Sequence, residues 1–233
     1  RLKEEQKEIL DHIHLVKIQD PPGFVKNLEN DIKKTSEQIC LYLFFLGMST
    51  VGKTTFVKKF MGYELLETSL STLGIDVEKT TATIGDTCIR IELWDTAGQE
   101  RLRSMPKRYY SKGNGFLLLF DVTKKSTFND IINWIKDIRE ARGGDDENND
   151  KKKIDSKEVL FLIGNKIDDT QNREVKKEEA LKLAEEYGLS YFEVSSKEGI
   201  NVYEIVTKLI FEAFSKSKES KKFFKLQSQQ NNR

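Results

Sequence analysis

The sequence predicts an α/β fold in which a six-stranded, mostly parallel sheet is covered by helices on both faces. Three observations support this prediction. Short apolar runs rich in β-branched and aromatic residues alternate along the chain with segments of helical apolar spacing. Two neighbouring runs are separated by only four residues, which indicates an antiparallel hairpin. A glycine-containing loop directly follows the first run and precedes a helical segment.

The bulk composition fits one α/β domain with short extensions. The chain has 233 residues, 37% of them apolar, which suits one sizeable core better than two. Its 39 lysines and arginines nearly balance its 38 aspartates and glutamates, so no net charge favours nucleic acid as a partner. Cys40 and Cys88 each lie in an apolar run and are expected to be buried rather than to form a disulfide or metal site.

No apolar segment is long enough to suggest a membrane span. The longest run, residues 39–46, is much shorter than the roughly 20 residues that a transmembrane helix needs. We therefore expect a cytoplasmic protein.

Residues 1–38 precede the first apolar run and are predicted to be a helical extension or linker. Ile9, Ile13 and Val16 recur at helical intervals, and a similar spacing continues in residues 24–32. The two segments are separated by a Pro-Pro-Gly breaker, so they are predicted to form a helical hairpin.

Six apolar runs predict the strands of the sheet. They span residues 39–46, 75–83, 88–94, 116–122, 159–164 and 191–194. The second and third should pair antiparallel because only residues 84–87 separate them. Helical patterns follow most of the others, notably over residues 127–141 and 202–214, which indicates parallel strands. Residues 39–214 are therefore predicted to form one domain.

Two polar segments are predicted to be surface loop and tail. Residues 142–153 contain too few apolar side chains to join a core, so a solvated loop is expected, with an interaction site as the alternative. Residues 215–233 are basic and are predicted to be a flexible tail, with peripheral contact to an anionic membrane as the alternative.

Residues 47–54, with the sequence GMSTVGKT, match the pattern of a phosphate-binding loop. The loop lies between a buried strand and a helix, which is the context that this motif requires. Its backbone N–H groups can surround phosphates, Lys53 can add a positive charge, and the Thr54 hydroxyl can bind Mg²⁺. The residues expected to contact the nucleotide here are Ser49, Thr50, Val51, Gly52, Lys53, Thr54 and Thr55.

A second polar motif, residues 94–100, ends the third predicted strand. Asp95 lies where a carboxylate can hold the hydration shell of Mg²⁺. The backbone N–H of Gly98 can meet the γ-phosphate, and Gln99 can orient an attacking water. The sequence therefore predicts a triphosphate site rather than a simple turn.

The loops after the fifth and sixth predicted strands indicate which base the predicted nucleotide carries. Asp168 can accept both the ring N–H and the exocyclic amine of guanine, a donor pair that adenine lacks. Lys166 can lie along the ring, Asn165 can join the base loop to the phosphate loop, and the Ser196 N–H can meet the guanine carbonyl. The predicted base-binding residues are Asn165, Lys166, Asp168, Ser195, Ser196 and Lys197.

With these motifs in register, residues 39–214 resemble a Ras-superfamily G domain of the P-loop NTPase fold. Residues 71–77, 94–101, 109–110 and 119–123 resemble the Rab family in particular. The resemblance implies a small GTPase that binds GTP or GDP with Mg²⁺, hydrolyses GTP slowly and acts as a molecular switch in vesicle trafficking.

The resemblance also assigns roles to individual residues. Thr72 corresponds to the switch-one threonine that meets Mg²⁺ and the γ-phosphate, and residues 99–110 correspond to switch two. The implied catalytic residues are Gln99, Lys53 and Thr72, and the implied metal contacts are Thr54, Thr72 and Asp95.

Partners and location follow from the same resemblance. Effectors are expected to bind residues 65–78 and 98–110, and activating and exchange proteins are expected as well. Residues 62–78 contain no arginine or lysine, so unaided hydrolysis should be slow and a partner that donates an arginine should accelerate it. Endomembranes are the implied site of peripheral attachment.

The sequence departs from the family pattern at several positions. Leu65 replaces an aromatic residue that lies against guanine, at an expected cost of about 1 kcal/mol. Thr50 replaces a glycine of the phosphate loop, while Val77 and Leu102 replace phenylalanines of the switch region. No cysteine follows Cys88, whereas Rab proteins end in prenylated cysteines. We expect either part of a longer protein or membrane attachment by another route.

Two other functions remain open at this stage. The first is a guanine-nucleotide-binding scaffold with weak catalysis that acts through its N-terminal helices. The second is an ATP-using P-loop enzyme, which Asp168 and residues 195–197 disfavour.

Overall fold

The computed structural model describes residues 13–16, 39–63, 75–84, 87–96, 107–143, 159–217 and 220. These residues form one sheet with helices on both faces. The strands are β1 (Ile13–Val16), β2 (Ile39–Leu46), β3 (Ile75–Ile84), β4 (Thr87–Thr96), β5 (Gly115–Asp121), β6 (Leu160–Asn165) and β7 (Ser190–Val194). The helices are α1 (Lys53–Met61), a 3₁₀ helix (Lys107–Lys112), α2 (Lys125–Asn129), α3 (Ile131–Ala141), α4 (Lys177–Tyr187) and α5 (Val202–Lys216).

The predicted fold class is confirmed, and strands β2 to β7 correspond to the six predicted strands. Their order in the sheet is β3-β4-β2-β5-β6-β7, with β1 outside β3. All neighbouring pairs from β4 to β7 are parallel, and β3 pairs antiparallel with β4 over its whole length. The carboxyl ends of β2, β4, β5, β6 and β7 therefore lie along one edge of the sheet.

The core has one layer on each face of the sheet. Strand β2 lies at the centre and is buried on both sides because its apolar side chains alternate in direction. Leu43 and Phe45 face the layer that contains Phe56 of α1 and Leu209 of α5. Phe44 and Leu46 face the opposite layer, which contains side chains of α3 such as Trp134.

The predicted helix over residues 127–141 is divided in two at Asp130. The first part, α2, is held to the end of β5 because the Thr127 hydroxyl accepts a hydrogen bond from the Asp121 N–H at 3.0 Å. Phe128 contacts Phe120 of the same strand, with ring centroids 4.9 Å apart. The second part, α3, begins at Ile131 and covers the sheet.

The prediction of a helix is wrong for Ile13–Val16, which form strand β1. This strand pairs antiparallel with the end of β3, so that Ile13 lies beside Ile84 and Val16 beside Thr81. The spacing of Ile13 and Val16 also suits a helix, but the open edge of β3 offers hydrogen-bonding groups that an isolated helix cannot use. The rest of the predicted hairpin lies outside the described residues.

Burial of the cysteines is predicted correctly only in part. Cys40 is partly buried, whereas Cys88 is exposed near the start of β4. Neither forms a disulfide. Cys88 is exposed because alternate β4 residues face opposite sides, and it is the neighbouring Ile89 that enters the core.

The predicted loop and tail lie mainly outside the described residues. Of the loop, the structure describes residues 142–143. Of the tail, it describes residues 215–217 and 220, and α5 continues two residues beyond the predicted helix end. No helix among the described residues is long and apolar enough to cross a lipid bilayer.

Candidate nucleotide-binding site

The predicted phosphate and base loops lie at the same edge of the sheet. Residues 47–52 follow β2, residues 166–175 follow β6, and residues 195–201 follow β7. Because these three strands are parallel to β5 and to one another, their carboxyl ends open on a common surface. The fold alone thus brings together segments that are more than a hundred residues apart in sequence.

Two glycines let the phosphate loop approach its neighbours closely. Gly47 has φ of 145°, and a Cβ atom there would lie 2.2 Å from the Leu119 carbonyl oxygen. Gly52 has φ of 96°, and a Cβ atom there would lie 2.5 Å from the Asn165 side-chain nitrogen. Any other residue would force the loop away from β5 and from the base loop.

The Lys53 ammonium lies inside the phosphate loop. The residue is 5% exposed, and its Nζ donates hydrogen bonds of 2.9 Å to the carbonyl oxygens of Gly47 and Met48. Helix α1 begins at Lys53, so the N–H groups of its first turn point toward the same space. A buried cation beside a helix N-terminus is well suited to hold an anion such as phosphate.

Thr50 has a backbone conformation that is unusual for its residue type. Its φ is 65°, in the left-handed region that glycine adopts without cost. A β-branched residue there is strained by roughly 1–2 kcal/mol. Threonine in place of the family's glycine at position 50 therefore adds backbone strain to the phosphate loop.

Thr54 and Asp95 meet at the predicted metal position. The Thr54 hydroxyl donates to Asp95 Oδ2 at 2.5 Å, and the carboxylate is 2% exposed. Asp95 Oδ1 is buried without a hydrogen bond. Burial raises the pKa of Asp95, against the opposing effects of the Thr54 hydroxyl and the Lys53 ammonium.

These two residues fit a bound Mg²⁺ ion. An orphaned carboxylate oxygen beside a threonine hydroxyl offers the hard oxygen ligands that Mg²⁺ prefers, and Mg²⁺ uses few protein ligands because it retains water. The third predicted metal contact, Thr72, lies outside the described residues.

Asn165 connects three loops. Its Nδ2 donates to the Val51 carbonyl oxygen at 2.8 Å, which joins the end of β6 to the phosphate loop. Its Oδ1 accepts bonds of 3.0 Å from both the backbone N–H and the hydroxyl of Ser196. The amide is 1% exposed, so these bonds are shielded from water and fix the relative positions of the loops.

Asp168 is oriented by Ser195. The Ser195 hydroxyl donates to Asp168 Oδ1 at 2.6 Å, and the same hydroxyl accepts from the Glu198 N–H at 3.0 Å. Asp168 itself is exposed, where it can accept hydrogen bonds from a ligand. Lys197 projects to the surface, with its side chain 77% exposed and its ammonium 3.9 Å from Glu198.

Lys166 is held by a buried aspartate that the sequence analysis did not identify. Its Nζ lies 2.6 Å from Oδ2 of Asp121, the last residue of β5. Burial alone would raise the pKa of Asp121, but Lys166 and the hydroxyl and N–H of Thr123 hold it below its ordinary value. An aspartate that ends an apolar strand at this edge was the available signal, as it was for Asp95.

The two predicted effector surfaces are described only in part. Residues 75–78 and 107–110 lie within the described residues. Val77 is the register partner of Trp94, and the Trp94 and Tyr109 rings are 5.7 Å apart. The predicted residues Thr72, Gly98 and Gln99, and the substituted positions Leu65 and Leu102, lie outside the described residues.

Comparison with known proteins matches the same part of the chain. The model of the Ras family matches residues 42–215. Ras-related protein Rab-26 of Rattus norvegicus is 39% identical over 165 residues, which cover 70% of this chain and 60% of that protein. Ras-related protein Rab-13 of Canis lupus familiaris is 36% identical over 75% of this chain and 80% of its own length. Ras-related protein Rab-12 of Mus musculus is 34% identical over 76% and 68%, respectively. The chain thus matches about 60% of the length of Rab-26.

Proposed function

Because the chain belongs to the Ras family and is a Rab-like small GTPase, we propose that it is a molecular switch that binds GTP or GDP with Mg²⁺ and slowly hydrolyses GTP. The observation that carries this proposal is the position of Asn165, which bonds the phosphate loop through Val51 and the last loop through Ser196. A single nucleotide spanning these loops would contact all three.

The phosphates bind at the loop after β2. Lys53 and the N–H groups at the start of α1 supply positive charge and hydrogen-bond donors to them. Gly47 and Gly52 allow the backbone to come close enough for these contacts.

The base loop selects guanine. Asp168 accepts the two N–H groups of the guanine edge, and Ser195 keeps its carboxylate in the required orientation. Lys166 lies along the base while its ammonium is paired with Asp121. Adenine would leave the Asp168 carboxylate without its donors, so ATP should bind far more weakly.

Thr54 and Asp95 would hold Mg²⁺, and Thr72 would be a further contact in the GTP state. When bound, Mg²⁺ would supply positive charge that stabilises the negative phosphate oxygens. Thr54 contributes its hydroxyl, and Asp95 contributes a carboxylate already aligned by that hydroxyl.

Hydrolysis transfers the terminal phosphoryl group to water. The water oxygen bonds to the γ-phosphorus, the bond to the β–γ bridging oxygen breaks, and the water protons end on phosphate and solvent. Gln99 orients the water, Lys53 stabilises charge and Thr72 senses the γ-phosphate. Since residues 62–78 contain no arginine, an activating protein that supplies one would raise the rate by about a thousandfold or more.

The cellular role that we propose is regulation of vesicle trafficking at the cytoplasmic face of endomembranes, with peripheral attachment. Effectors would read residues 65–78 and 98–110, whose conformation depends on the γ-phosphate. Exchange and activating proteins would control the nucleotide state.

The proposal can be tested on the purified chain in two steps. GTP, GDP and ATP are first competed against a fluorescent guanine nucleotide, and GTP and GDP are expected to bind while ATP does not. Single-turnover hydrolysis of bound GTP is then compared with that of Gln99→Leu, in which the rate should fall by about tenfold or more. Equal binding of ATP would contradict the guanine assignment. Nucleotide that is held but never hydrolysed by either protein would instead support a scaffold, which the strained Thr50 in the loop makes a reasonable second candidate.

A further inference from the structure

Arg173, Tyr191 and Glu193 form a hydrogen-bonded group between the end of the base loop and β7. None of the three belongs to the phosphate or base contacts described above. Arg173 Nη1 donates to Glu193 Oε1 at 2.9 Å and to the Val175 carbonyl oxygen at 3.1 Å. The Tyr191 hydroxyl donates to the same Glu193 oxygen at 2.8 Å. We call Arg173, Tyr191 and Glu193 the bracing cluster.

The bracing cluster connects the returning end of the base loop to β7. The loop leaves β6 after Asn165, and its return is fixed where the Val175 N–H donates to the Val122 carbonyl oxygen at 2.9 Å. Arg173 lies two residues before that point and reaches across to Glu193. The ion pair between Arg173 and Glu193 therefore ties the end of the base loop to β7.

Glu193 is also close in sequence to the residue that orients Asp168. Ser195 lies two residues after Glu193 and donates its hydroxyl to Asp168. Contacts thus run from Asp168 along the loop to Arg173, across to Glu193, along β7 to Ser195 and back to Asp168. Loss of the contact between Arg173 and Glu193 would interrupt this closed path. The position of the Asp168 carboxylate would then be less well defined.

The bracing cluster is partly shielded from water, which strengthens its interactions. The side chains of Arg173 and Glu193 are 25% and 19% exposed. Burial raises the pKa of Glu193, but Arg173 and the Tyr191 hydroxyl outweigh it and hold that pKa below its ordinary value. The pKa of Tyr191 is raised, first by burial and then by its bond to Glu193. At neutral pH Glu193 is therefore an ionised carboxylate. It accepts one hydrogen bond from the charged Arg173 and one from the neutral Tyr191 hydroxyl.

The backbone next to Asn165 makes room for the bracing cluster. A Cβ atom on Gly164 would lie 2.8 Å from the Tyr191 hydroxyl oxygen, so the hydroxyl lies against the β6 backbone one residue before Asn165. The Tyr191 ring stacks on Phe120 with centroids 6.3 Å apart. Tyr191 is thus placed by the core, and it presents a fixed donor to Glu193.

We propose that Arg173, Glu193 and Tyr191 are positioning residues that hold the base loop in its guanine-binding conformation and thereby slow nucleotide dissociation. This inference rests on the proposed guanine site. The bracing cluster touches neither the phosphates nor the metal residues, so it should affect release and base selectivity without changing the hydrolysis of bound GTP.

The test compares variants of the bracing cluster with a matched control elsewhere. Glu193→Gln and Arg173→Met each remove the charged pair, and Tyr191→Phe removes only one hydroxyl. Glu212→Gln removes a comparable ion pair on α5, where Lys208 lies 3.2 Å from a carboxylate whose side chain is 29% exposed. The rate of fluorescent GDP release into excess GDP is measured for each full chain.

We expect Glu193→Gln and Arg173→Met to release GDP about tenfold faster than the parent chain, as loss of a charged hydrogen bond would produce. Tyr191→Phe should give about a threefold increase. The preference for GDP over inosine diphosphate, which lacks the exocyclic amine, should fall in the same order, while single-turnover hydrolysis stays within about twofold. Glu212→Gln should match the parent chain.

Several outcomes would overturn the inference. Parental GDP release in both charge variants would do so, and so would equal acceleration in Glu212→Gln, since that would indicate a general loss of stability. If Glu193→Gln or Arg173→Met does not fold, a parental release rate in the mild variant Tyr191→Phe overturns it. A parent chain that retains no guanine nucleotide would overturn the proposed function itself, whereas retention with unchanged variants would overturn only the positioning role.

Discussion

Single residues in this protein act by connecting segments that are distant in sequence. Asn165 joins β6 to the phosphate loop at Val51, and Asp121 at the end of β5 neutralises Lys166. Asn165 and Asp121 are both buried, so removing either side chain takes a hydrogen bond or an ion pair from its partner that water can replace only in part. Substitutions at this scale should therefore have effects that can be assigned to one contact.

Thr50→Gly should make the protein more stable. The substitution removes the strain of a β-branched residue at φ 65°, which outweighs the greater chain entropy of glycine when the protein unfolds. We expect the free energy of unfolding to rise by about 0.5–1 kcal/mol in urea titrations. Thr207→Gly serves as the control, because Thr207 lies within α5 and glycine there should lower stability. A loss of stability in Thr50→Gly would contradict the strain.

Asp121→Asn should lower stability at neutral pH and have less effect in acid. The pKa of Asp121 is lowered in the folded protein, so its stabilising contribution is fully present above the unfolded-state pKa of about 3.9 and is lost as the pH falls toward the folded-state value. Because Lys166 is about a third exposed, we expect the difference at pH 7 to be only about 1–2 kcal/mol.

Urea unfolding of both proteins at pH 7, 5 and 3.5 would measure this difference. The gap should be constant between pH 7 and 5 and should narrow at pH 3.5. A gap that widens in acid would show that the aspartate acts through some other interaction.

Whole elements differ in how far the sequence could predict them. Strands β2 to β7 were predictable because each is a short apolar run that is buried between helices or paired in a hairpin. The break between α2 and α3 was not, because the contact that holds α2 to the sheet, from the Asp121 N–H to the Thr127 hydroxyl, joins separate elements. Strand β1 was missed for a similar reason, since four residues carry little local preference and their partner lies almost 70 residues away.

Removal of β1 should expose the end of β3. We expect deletion of residues 1–20 to accelerate amide hydrogen exchange of residues 81–84 by about tenfold or more, because these residues would become the unpaired edge of the sheet. Residues 89–93 of β4 serve as the internal control, since β2 and β3 flank them in either protein. Unchanged exchange at residues 81–84 would mean that β1 does not protect this edge.

At the scale of the whole molecule, the site exists because five parallel strands end at one edge. The motifs at residues 47–54 and 164–168 could be predicted to meet there, since parallel strands align their carboxyl ends. The side-chain pairs that support these motifs could not be predicted, although the position of Asp121 at the end of an apolar strand was a signal for that one residue. The pairing of Arg173 with Glu193 and of Lys166 with Asp121 depends on loop geometry and burial, which no spacing in the sequence reveals.

The position of β1 also divides the outer edge of β3 into two parts. Strand β1 pairs only with residues 81–84, the part farthest from the nucleotide edge. Within the described residues, no strand pairs with the outer side of residues 75–80, and Ile75 there is 40% exposed. A strand from another protein that added to this edge could extend only about 20 Å, or about six residues, before it met Val16. The first strand therefore limits how many residues of such a strand could pair with β3 beside the proposed nucleotide site.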